Sequence, residues 1–125
     1  MIFIFGGAYQ GKLDFAKREY GLMNEDVFPC TESGEIDFNK KCVCNIEQFT
    51  LWCVKNKKDA VDFFSLHKSE WENSVLICRD IFCGVVPIDA DLRAWREMTG
   101  LLCAYLSQQA QSVYRIFCGL EQKLK

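Results

Sequence analysis

The chain has 125 residues, half of them apolar and 26% charged, and 15 basic against 17 acidic residues leave a formal charge of −2. That is the length of a single domain with apolar mass enough for its own core. The charge offers no basic footprint for nucleic acid, and no apolar run approaches the ~18–20 residues that crossing a bilayer requires.

Residues 2–5, IFIF, form a short apolar run that stops at Gly6 and Gly7, the pattern of a buried strand. The start, MIFIFGG, is too short for a secretory signal and has no basic region, so the cytoplasm is the expected compartment. Helical spacing begins after Gly11, with Leu13, Ala16 and Tyr20 on one side and Gly21 as a stop. Residues 22–40 are polar, rich in turn formers and weakly periodic, and read as a loop. Residues 41–46, KCVCNI, read as a second strand. The stretch 49–71 reads as mostly helical with a break near Asn56, and residues 75–78 as a third strand.

Pro87 precedes a long amphipathic helix over roughly 89–110, with Leu92, Trp95, Met98, Leu102 and Leu106 as its apolar stripe and Asp89 or Asp91 as its cap. Residues 113–118, VYRIFC, are the last strand, ended by Gly119. Alternation of strand and helix predicts an α/β fold with a mainly parallel sheet covered by helices on both faces, as a single domain over 1–125.

The stretch Gly6, Gly7, Ala8, Tyr9, Gln10, Gly11, Lys12 lies between the first strand and the first helix. In that position successive backbone N–H groups converge on phosphate oxygens, glycines take the turn without side-chain clashes, and Lys12 reaches the outer phosphates. A Ser or Thr would next ligate Mg²⁺, but the chain has Leu13, which cannot. Phosphate cradling and metal holding are thus separable here. Asp14 points about 100° away along the helix and does not replace the missing hydroxyl.

Eight cysteines invite a disulfide reading, but no secretory signal accompanies them and several lie inside apolar runs. They are expected to be buried, reduced thiols. Only Cys42 and Cys44 approach chelating spacing, and the chain has a single histidine, His67.

Several motifs carry a resemblance. Gly84-Val85-Val86-Pro87 is followed by Arg93, Trp95, Arg96, Glu97 and Gly100, then by Val113, Gly119, Leu124 and Lys125. With the GGAYQGK loop and Glu47-Gln48-Phe49-Thr50-Leu51-Trp52, this resembles the bifunctional adenosylcobinamide kinase/adenosylcobinamide-phosphate guanylyltransferase family of cobalamin biosynthesis. The resemblance implies a P-loop NTPase-like fold. It implies ATP or GTP bound by residues 6–13, a corrinoid as second ligand, and a homo-oligomer, trimeric in that family.

Departures are as informative. Leu13 replaces the family's serine, Arg79 an amide, Phe82 a glycine, and Cys103-Ala104 an Asn-Gln pair. The segment that carries the family's guanylate-accepting histidine is shortened here to residues 21–40, which hold no histidine. His67 lies on the wrong side of the Glu47 motif to replace it and reads as a partly exposed helical residue. Phe82 is expected to restrict backbone approach to a ligand.

Glu47 and Asp80 are expected near the C-terminal ends of strands beside the loop, where they would hold Mg²⁺ through water. Their plainer roles are a helix cap and a solvated turn. Lys55, Lys57 and Lys58 read as a solvated helix end, and Trp52, Trp71 and Trp95 as packing residues. Three functions follow. One is a nucleotide- or phosphate-binding relative of that family with reduced or lost activity. Another is an active kinase acting on cobinamide without the guanylyl step. The third is a non-catalytic interaction or regulatory protein on the same scaffold.

Overall fold

A computed structural model describes residues 1–125. Its centre is a six-stranded sheet in the order β2-β3-β4-β1-β5-β6. The strands are β1 (Ile2–Gly6), β2 (Val27–Pro29), β3 (Cys42–Cys44), β4 (Val75–Arg79), β5 (Ser112–Phe117) and β6 (Leu120–Lys123). All neighbours pair in parallel except β5 and β6, which form an antiparallel hairpin. The expected α/β architecture is present.

The helices are α1 (Lys12–Tyr20), α2 (Ile46–Lys55), α3 (Ala60–Leu66), α4 (Lys68–Trp71) and α5 (Ala90–Gln109). Alternating strand residues divide the core in two. Phe3, Val43, Leu76, Cys78 and Val113 face α2–α5, whereas Ile4, Cys42, Cys44, Val75, Ile77 and Ile116 face α1. Helices thus lie on both faces, but α1 covers its face alone.

This asymmetry follows from crossover handedness. The β1–α1–β2 connection runs one way across the sheet, and the connections after β3 and β4 run the other way. Right-handed crossovers place opposite directions on opposite faces. The direction reverses between β1 and β4, which opens a crevice at their C-terminal ends.

Three expectations need correction. Residues 22–40 are not all loop: Asn24–Asp26 form a 3₁₀ turn and Val27–Pro29 pair with β3 as an edge strand. Gly119 does not end the sheet but turns it, with φ of 76°, into β6. The stripe of α5 starts later than Leu92, which is exposed. Thr99, Leu102, Cys103 and Leu106 are the buried positions. Asp89 rather than Asp91 caps α5, accepting the Leu92 N–H at 3.0 Å. No helix is long and apolar enough to cross a membrane.

Candidate functional site

The loop from Gly6 to Lys12 leaves the central strand and enters α1 at the crevice. Gly6 is required by packing, since a Cβ there would lie 2.4 Å from the Ile116 carbonyl oxygen of β5. Gly11 opens the helix at φ 92°, and Tyr9 also takes a left-handed conformation, φ 59°, with its side chain fully exposed. These turns leave the backbone N–H groups from Gly7 through Asp14 without an acceptor in the chain. Phe15 is the first to donate, to the Gly11 carbonyl at 3.0 Å. Any helix start has orphan donors. Here they continue back through the whole loop, the arrangement that attracts an anion.

Lys12 folds over this concavity and donates to the Gly7 carbonyl at 2.6 Å. Burial lowers its pKa, while the Glu47 and Asp80 carboxylates partly restore it. Gln10 is a clamp that sequence reasoning missed. Its Oε1 accepts the Cys118 N–H at 2.5 Å, and its carbonyl accepts the Gly119 N–H at 3.0 Å, tying the loop to the β5–β6 turn. On the opposite side, the Asp80 N–H donates to the Gly6 carbonyl at 3.0 Å. No feature of the sequence announces the Gln10 clamp, because its partners are distant in the chain.

Two clefts meet at Lys12. One, of about 440 Å³, runs along the start of α1 past Leu13, Lys17, Val27 and Asn45. The other, of about 400 Å³, is bounded by Ala8, Lys12, Asn45, Glu47, Gln48 and Arg79. Both volumes are in the range of small-ligand sites. Asn45, left-handed at φ 55° as it leads into α2, lines both. An Asn between a strand and a helix, a residue type that tolerates left-handed backbone, was the available signal for it.

Glu47 lies in the first turn of α2, just beyond β3, and is buried. Its Oε2 accepts the Arg79 N–H at 3.0 Å, and its carbonyl accepts Trp95 Nε1 at 2.8 Å. Trp95 therefore does more than pack: it also donates to Thr50 Oγ1 at 3.1 Å, and Thr50 bonds Thr99 Oγ1 at 2.6 Å. Asp80 follows β4, beside Gly7, and its Oδ2 lies 3.9 Å from Cys83 Sγ. It lines neither cleft.

This donor set does not fit a resident Mg²⁺ ion. Leu13 packs against the α1-side core where a hydroxyl would be needed, and one Glu47 oxygen is committed to a backbone amide. Nowhere do three His, Cys, Asp or Glu side chains gather as a metal site. Cys42 and Cys44 are buried on the same face of β3, where desolvation raises their pKa to about 12 and about 11.

Phe82 turns away from the loop. It packs on Phe5 and against Gly100 of α5, where it helps line a separate apolar cleft of about 240 Å³. His67 joins α3 to α4, packs at a tilt against Phe63 with 4.4 Å between ring centres and contacts Glu70, far in connectivity from the loop. Lys55, Lys57 and Lys58 are exposed, with Lys55 paired to Glu32. The sequence matches no protein-family model and no curated protein.

Proposed function

We propose that this chain binds the polyphosphate of a nucleotide, ATP or GTP, in the loop formed by residues 6–13. The reading includes a P-loop-like role for β1, the loop and α1. Its group-transfer activity is reduced or lost relative to the cobinamide kinase/guanylyltransferase family that its motifs resemble. The observation that carries the reading is the run of unpartnered amides from Gly7 to Asp14, with the Lys12 ammonium held over them. Anions bind such a surface because the donors are already converged and the helix dipole adds positive potential. Leu13 and the committed Glu47 argue against metal-dependent phosphoryl transfer, which needs Mg²⁺ to neutralise developing charge.

Thermal-shift measurements with ATP, GTP and GMP, each with Mg²⁺ or with EDTA, test this. ATP or GTP raises the melting temperature, Mg²⁺ adds little, and Lys12→Ala removes the shift. The absence of any shift with every nucleotide would favour a scaffold without a nucleotide site. Magnesium-dependent turnover of ATP with cobinamide would instead establish an active kinase.

A further inference from the structure

Arg79 is a cation at the loop cleft with no partner. It is the last residue of β4 and pairs in register with Gly6 of β1. Strand alternation puts it on the same side as Val75 and Ile77, the side on which α1 begins. It lines the cleft of about 400 Å³ with Ala8, Lys12 and Glu47. Its backbone N–H is taken by Glu47, yet its guanidinium makes no hydrogen bond or ion pair with any group of the chain. Its charge is felt by the Lys12 ammonium.

We infer that Arg79 is the built-in counter-charge of this cleft, closing with Lys12 on the terminal phosphates of a polyphosphate that carries no metal ion. This rests on the reading of the loop as an anion site. The need for it comes from the same residues. Without Mg²⁺, the Glu47 and Asp80 carboxylates repel a polyphosphate, and Leu13 gives the metal no ligand. A guanidinium is charged at every working pH and presents paired N–H donors that match two phosphate oxygens. Unlike a metal ion, it needs no hydroxyl from position 13.

Calorimetric titration of ATP and of inorganic tripolyphosphate, in EDTA and in Mg²⁺, decides it. The wild-type chain binds both anions in EDTA at least as tightly as in Mg²⁺. Arg79→Gln weakens binding in EDTA by about tenfold or more, as expected for loss of a charged hydrogen-bonding partner. Arg79→Lys, which keeps a point charge in the same fold, weakens it less. Strict dependence of the wild type on Mg²⁺ would overturn the inference. So would metal-free affinity unchanged in Arg79→Gln, while loss of binding in Lys12→Ala still upheld the loop as the site. No binding of either anion under either condition would overturn the loop reading and this one together.

Discussion

At the scale of single residues, Lys12 carries opposing demands. Its ammonium is half-buried, and desolvation holds its pKa below the usual 10.5. The free protein therefore tolerates a charge that it would more readily lose. Between the lowered folded value and 10.5 the unfolded chain binds more protons at this site than the native chain does. Raising the pH through that window consequently stabilises the native state. On the proposed reading of the loop, anion affinity moves the other way, because a neutral Lys12 would no longer attract phosphate. Denaturant unfolding and ATP titration across the alkaline range, each compared with Lys12→Met, should show the two trends diverging. The variant removes the Lys12 contribution and leaves every other titrating group in place. Stability relative to Lys12→Met that falls with rising pH would contradict the assignment.

At the scale of elements, the buried hydroxyls of Thr50 and Thr99 couple α2 to α5 beneath the site. Thr50 also donates to the Glu47 main-chain carbonyl and accepts from Trp95, so this contact fixes the first turn of α2 that carries Glu47. Replacing Thr50 by valine strands the buried Thr99 hydroxyl and is expected to cost about 1–3 kcal/mol, whereas Thr99→Val leaves Thr50 bonded to Glu47 and Trp95 and should cost about 1 kcal/mol. Replacing both removes donor and acceptor together, so the double variant should lose less than the sum of the singles. Urea unfolding of the four proteins in a double-mutant cycle measures this; strict additivity would show that the hydroxyls act independently.

The same elements show where sequence reading succeeds. β1, α1 and the body of α5 are marked by an apolar run, helical spacing and an aspartate cap, all local signals. β2 escapes because three residues with a terminal proline look like loop, and it becomes strand only by pairing with β3. β6 escapes because Gly119 marks a turn equally well at the end of a sheet or in a hairpin. The glycine-rich turn from β1 into α1 is legible in its residue pattern, and its reading as a phosphate cradle belongs to the proposal. The polar contacts of Trp95 and the place of Arg79 beside Lys12 depend on register between distant segments, which no local pattern contains.

At the scale of the whole molecule, the cysteines report how the core closes over the sheet. Cys30, Cys42, Cys44, Cys53, Cys78 and Cys103 are buried, and Cys83 and Cys118 are exposed, all as free thiols. Burial raises the Cys53 pKa to about 12 and holds Cys30 well above the ordinary value, and the hydrogen bond with the Cys103 thiol, with burial, does the same for Cys78, so these sulfurs stay protonated and unreactive at neutral pH. The two exposed thiols flank the Gly6–Lys12 loop, one after β4 and one in the β5–β6 turn that Gln10 clamps. Titration of the reduced native protein with the thiol reagent DTNB should therefore label Cys83 and Cys118 quickly. The remaining six should react only as the molecule opens. In a Cys83→Ser/Cys118→Ser variant all labelling should follow opening of the core, and denaturant should accelerate it. All eight thiols should appear in denaturant without reductant, since the fold needs no cross-link. A shortfall there would reveal a disulfide, and fast labelling of the double variant would place part of the sheet in exchange with solvent.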